Sequence, residues 1–283
     1  MDSPLRYASV QRYLSDIESS EGVRILLASA VGSHAWGLSS PESDVDLKFI
    51  FIRPLLDYLS CSRPVDSLHD FRSFGSLEDE RISIYGFDIR KALDMAAESS
   101  IAFSEILLSP ASYRKDPFFF SSASSLFHKN FDPVIARCQY ASIVKTNILK
   151  YLSEHSFSPK VYLHTLRALF SARWIKAHST PPPCSFLEIF EAAQLPDSPL
   201  RDAISSLVVA KKSAALPDGP PVKIIHDFIT TEASLLMRTH QRPQPRDYNR
   251  DFDRIFHQCL LLQGFSSGGI LFSDEPSHSQ PTP

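Results

Sequence analysis

The sequence predicts an α+β chain with a small mixed-sheet domain over residues 1–110, an all-helical domain over 111–265 and a disordered tail over 266–283. Two observations carry this. Short apolar runs of strand type occur only before about residue 90, and after Asp88 they give way to longer stretches with helical spacing. The breaks between those stretches are proline-rich, at Pro181–Pro183 and Leu216–Pro221.

Taken in order, Leu5, Tyr7, Val10, Tyr13, Leu14 and Ile17 recur with the period of a helix. Val23–Ala30 is a continuous apolar run bounded by a glycine pair, the pattern of a strand buried on both faces. Val45–Ile52 (VDLKFIFI) is β-branched and aromatic between Pro41 and Pro54, and predicts a second strand. Arg81–Ile89 predicts a third, with a long connection containing Pro64 and Gly75 between them. Helices are expected over DIRKALDMAAES, IAFSEILLS, Asp132–Glu154, Pro159–His178, CSFLEIFEAA, SPLRDAISSLVVAKKSA and VKIIHDFITTEASLLMRTH. From Ser266 to Pro283 the Ser/Pro-rich composition predicts disorder.

Composition excludes several classes. The 283 residues are 43% hydrophobic and 22% charged, which rules out fibrous and wholly disordered chains and suffices for a core without disulfides. No run of roughly 18 apolar residues offers a membrane span. The first residues have no signal-peptide stretch, so a cytoplasmic protein is expected. Net charge is −3, so any basic surface is local. Cys61, Cys138, Cys184 and Cys259 are isolated and read as reduced thiols. The histidines have no H-E-x-x-H spacing, and no Walker-type G-x-x-x-x-G-K-[ST] occurs.

The informative stretch runs from Gly32 to Leu47, GSHAWGLSSPESDVDL. Asp44 and Asp46 are two apart at the start of a strand, so their carboxylates share one face. Anions that close repel unless a cation sits between them, and oxygen ligands suit a hard ion, Mg²⁺ or Mn²⁺. Gly32 permits a tight turn near a phosphate, and Ser33 supplies a hydroxyl donor. A short helix at Leu38 would add its N-terminal potential. Two cations need a further carboxylate; Asp88, ending the third strand, is the candidate if that strand pairs beside Val45–Ile52.

Gly-Ser, a gap, Asp-x-Asp and a distant strand Asp resemble the DNA polymerase β-type nucleotidyltransferase superfamily. The strings GSHAWGLSSPESDVDLKFIFIRP, GFDIRKAL, SEILLSPASY and KVYLHTLRALFSARWIKAHSTPPPCSFLEIF are more narrowly similar to the bacterial RNA-repair-pathway polymerase-β-like nucleotidyltransferases, over about residues 25–215. The resemblance implies Gly32 and Ser33 at a nucleoside triphosphate and Asp44, Asp46 and Asp88 on two Mg²⁺ or Mn²⁺ ions. It also implies a weaker or pH-dependent phosphate contact at His34, where such proteins usually carry Arg. The expected reaction moves a nucleoside monophosphate to an acceptor hydroxyl, with an RNA or DNA 3′ end indicated. A protein hydroxyl, a small molecule and a non-catalytic nucleotide- or RNA-binding module are the alternatives.

Other residues have two readings each. Trp36 reads as packing beneath the turn rather than as a base-stacking platform, and Ser43 as local turn chemistry. Lys48 shares the Asp44/Asp46 face and either pairs with the acids or touches a phosphate. Arg173 falls on the apolar stripe of its helix, where it needs a partner: a bound triphosphate or a structural acid such as Glu188. Lys160, His164 and Arg167 gather on another side as a solvated face or a nucleic-acid contact. Lys211 and Lys212 either meet phosphate or close a helix C-terminus.

Overall fold

The computed structural model describes residues 4–62, 64–73, 81–152, 159–215, 222–238 and 250–264. After α1 (Pro4–Glu21), the chain forms β1 (Arg24–Val31), β2 (Val45–Ile52), α2 (Leu55–Leu59), β3 (Ser67–Ser73) and β4 (Arg81–Asp88). α3 (Ile89–Ala97), α4 (Ile101–Leu108), β5 (Ser112–Lys115) and α5 (Pro117–Asn130) follow. The remainder is helical: α6 (Pro133–Asn147) with a π-helical turn over Ile148–Leu152, α7 (Pro159–His178), α8 (Phe186–Ala192), α9 (Pro199–Lys212), α10 (Lys223–Arg238) and α11 (Arg250–Gly264).

The five strands form one mixed sheet in the order β3-β4-β2-β1-β5, in which only β2 and β4 run parallel. An α+β fold with a helical C-terminal region is therefore what the chain adopts. Alternation along β2 divides the core. Val45, Leu47, Phe49 and Phe51 face α1 through Val10, Tyr13 and Leu14, whereas Ile50 and Ile52 face α3, α4 and α5. Gly86 of β4 serves that packing, because a Cβ there would lie 2.3 Å from the Phe49 ring. A second core joins α6 to α10 around Leu166, Phe170 and Phe186, and takes in Leu38 from the segment after β1.

The predicted element bounds hold closely for β2, β4 and α7. The expected connection over residues 53–80 contains α2 and the edge strand β3, both too polar or too short to stand out. β5 and α5 lie beyond the expected boundary at 110, yet β5 pairs with β1, and α5 packs on the sheet core together with α11. Residues 112–130 and 250–264 thus belong structurally with the sheet. The expected linker at Leu216–Pro221 and the expected disordered tail at 266–283 lie outside the described residues. No described helix is long and apolar enough to cross a membrane.

Candidate active site

β1 ends by turning sharply through Gly32–Gly37, with both glycines at positive φ (61° and 69°). The Trp36 N–H donates to the Gly32 carbonyl and the Leu38 N–H to the Ser33 carbonyl, each at 2.9 Å. The segment is a closed turn, so the expected short helix at Leu38, with its dipole, is not formed. Gly32 is also in a tight place: a Cβ there would lie 3.0 Å from Asp46 Oδ2, closer than side chains ordinarily approach. The turn backbone is laid directly against the second acid of the Asp-x-Asp pair.

Asp44 and Asp46 are both exposed, and they line a cleft of about 260 Å³ with Gly32, Ser33, Trp36, Glu42 and Ser43. The opposite lining comes from the helical region as Lys160 at the start of α7, Leu163, and Lys211 near the end of α9. Lys211 Nζ donates to Ser43 Oγ at 3.1 Å. Burial, then the charge of Lys160, lowers the pKa of Lys211, while Glu42 opposes the shift. Ser43 also accepts from the Ser40 N–H at 2.9 Å, the local turn chemistry expected of it. On the sheet side the Ser83 hydroxyl donates to Asp46 Oδ1 at 2.6 Å.

Behind the cleft, Trp36 locks the turn to the helices. Its indole N–H donates to Glu105 Oε1 at 3.1 Å, and its carbonyl accepts from the Phe186 N–H at 2.9 Å. The Arg167 guanidinium lies 4.4 Å over the indole and pairs with Glu105 at 3.0 Å. His164 stacks on the same ring at 5.5 Å. Burial, followed by the charge of Arg167, holds its imidazole pKa below the usual value. Arg167 is therefore buried and paired and His164 is stacked, not members of a solvated face; only Lys160 of that trio reaches the cleft.

Asp88 is not beside the acid pair. In the parallel register Asp46 lies opposite Ser83, and Asp88 lies opposite Phe51. Five residues of strand, roughly 16 Å, separate the two positions. Asp88 is buried as the N-cap of α3, accepting from the Arg90 N–H at 3.0 Å and the Tyr58 hydroxyl at 2.8 Å. Burial and the adjacent carboxylate push the Tyr58 pKa upward. Arg173 is likewise elsewhere: it pairs with Glu232 at 2.7 Å and lines a separate groove with Trp174 and His178. Neither His34 nor Lys48 is among the residues lining the cleft. His34 Nε2 is buried without a hydrogen-bond partner, and Lys48 sits further along β2 opposite Ser29.

A divalent cation fits what remains. Asp44 and Asp46 offer hard oxygen donors, and an ion with few protein ligands completes its shell with phosphate oxygens and water. Among the described residues no cluster of three or more His, Cys, Asp or Glu is arranged to hold a metal. The expected two-ion arrangement therefore lacks its third carboxylate there. Sequence reasoning missed Ser83, whose signal was its place on β4, and Glu42, which had none.

Similarity to known proteins agrees with the fold. The profile of the RNA repair pathway DNA polymerase beta family matches residues 7–258. An uncharacterised protein of Bacillus subtilis (strain 168), YcgL, is 26% identical over 249 residues, covering 86% of this chain and 92% of that one. A solved nucleotidyltransferase-like protein from Exiguobacterium sibiricum 255-15 aligns over 90% of this chain and 89% of its own, at 9% identity and a TM-score of 0.31, which says nothing about the site. The match along nearly the whole described fold places the chain in the RNA repair pathway DNA polymerase beta family, and so among the polymerase β-like nucleotidyltransferases.

Proposed function

We propose that the protein transfers a nucleoside monophosphate from a nucleoside triphosphate to an acceptor hydroxyl, an RNA or DNA 3′ end, in the cleft between the sheet and α7/α9. What carries the reading is one opposition: Asp44 and Asp46 on the sheet side, Lys160 and Lys211 from the helices, with the Gly32–Ser33 turn lining the same cleft. Five charged groups, these four and Glu42, in about 260 Å³ suit a polyphosphate with its counter-ion better than an apolar ligand.

In this scheme the Ser33 hydroxyl and the two lysines take the triphosphate oxygens, which orients the α-phosphorus toward the acceptor. Asp44 and Asp46 would hold Mg²⁺ or Mn²⁺, which when bound polarises a phosphoryl oxygen as a Lewis acid. The acceptor oxygen forms its bond to the α-phosphorus as the bond to the β-phosphate oxygen breaks. The acceptor proton passes to water or a nearby base, and the lysines carry the charge of departing pyrophosphate. Trp36, fixed by Glu105 and Arg167, keeps the turn in register with the helices throughout.

The RNA acceptor is supported by the description of the matched family. Lys145, Lys150 and Lys176 are exposed on the helical region, whereas Arg167 and Arg173 are internally paired. A cytoplasmic setting suits four cysteines of which none is in a disulfide. The experiment is to offer α-labelled triphosphates and Mg²⁺ to the protein with total RNA and with total protein. Label is expected in RNA, and Asp46→Asn is expected to lower it by roughly 10²–10³-fold or more. Label in protein alone would defeat the RNA reading.

A further inference from the structure

The Ser83 side chain on β4 meets Asp46 directly. The two residues are register partners on parallel neighbouring strands, and the Ser83 hydroxyl donates to Asp46 Oδ1 at 2.6 Å. Tyr85, the next described position of β4 on that face, is a full pleat repeat away, about 7 Å along the strand. Two divalent ions about 3.5–4 Å apart need bridging and separate anionic ligands. Ser83 brings a neutral hydroxyl instead, and its proton already engages one oxygen of Asp46. Glu42 lines the cleft, but its charge acts on Lys211, and it forms no metal-holding group with the pair.

We infer that the cleft takes one divalent cation together with the triphosphate, and that Ser83 is a positioning residue that fixes the Asp46 carboxylate for that ion. This rests on the nucleotide-transfer reading and gives it a particular form. Positive charge on the phosphate side comes from one ion with Lys160 and Lys211, while β4 offers no carboxylate at Ser83 to hold a second ion on the acceptor side. The hydroxyl costs the site no charge and orients Asp46 Oδ1 without competing for Oδ2, which lies against Gly32.

The test is a Mn²⁺ titration of the full chain with one equivalent of a non-hydrolysable triphosphate, read by electron paramagnetic resonance against triphosphate alone. One bound ion per chain with an uncoupled spectrum is expected for the wild type. Ser83→Asp is expected to bind a second ion and to show spin coupling between the two. Ser83→Ala is expected to weaken Mn²⁺ binding about 3–10-fold, in the range of a hydrogen bond to a charged group, with Ser83→Thr restoring it. Two coupled ions in the wild type would overturn this inference alone, as would unchanged Mn²⁺ affinity in Ser83→Ala. No Mn²⁺ or triphosphate bound beyond the control would overturn the transfer reading and this inference with it.

Discussion

The two ends of the β2/β4 pair carry an aspartate each and put it to opposite use. At the β2 start, Asp46 is exposed in a cleft, with a turn glycine close by one oxygen and a serine hydroxyl donating to the other. At the β4 end, Asp88 is buried with its oxygens engaged by a helix N-terminus, an arginine and a tyrosine. The first carboxylate retains capacity for a ligand, and the second has spent its capacity on the fold. Strand direction decides which is which. An acid that starts one strand and an acid that ends a parallel neighbour stand at opposite edges of the sheet.

If that contrast is right, exchanging the damage separates the two ends. After the loss of transfer expected for Asp46→Asn, the largest effect is expected at the buried end. Asp88→Ala removes the α3 cap and leaves Tyr58 and Arg90 without their acceptor, for a cost of about 3 kcal/mol in a urea melt. The molecules that remain folded should keep near-normal transfer, and a loss per folded molecule as deep as that of Asp46→Asn would return Asp88 to the site.

A smaller effect tests the cationic wall facing the open end. Lys211→Met should raise the KM for triphosphate about tenfold, the size of one charge-assisted hydrogen bond, with a lesser effect on kcat. Arg173→Met, whose side chain pairs with Glu232, should leave that KM unchanged. The smallest concerns the stack beneath the turn. His164 has a lowered pKa, so the unfolded chain binds its proton first as pH falls. The stability this group confers is complete above its ordinary value near 6.5 and is lost as pH drops through that value toward the folded one. Wild-type Tm should therefore fall between about pH 7 and pH 5 by more than that of His164→Phe.

Much of this was legible in the chain. The β2 run, the Asp-x-Asp spacing, the Gly-Ser turn and the long apolar period of α7 follow from local patterns that tertiary contacts do not overrule. The place of Asp88 was not, and the reason is β3. SLHDFRS has only Leu68 and Phe71 as large apolar residues, as suits an edge strand, and so it passes for loop. Once β3 is counted as an antiparallel neighbour of β4, the chain reverses and reverses again, and β4 returns parallel to β2. Arg167 failed differently. Its partner Glu105 lies on α4, and no periodicity within α7 announces an acid so distant in sequence.

The return of α11 to the sheet has a consequence for synthesis. Phe252 and Ile255 of this late helix are buried with Phe103, Phe119 and Phe127, residues translated well over a hundred positions earlier. A nascent chain still tethered near residue 240 has its strands and Asp-x-Asp turn outside the ribosome, with the aromatic layer beneath them missing its last members. The sheet, whose strands emerge first, thus gains part of its aromatic cover only after Ile255 has been added.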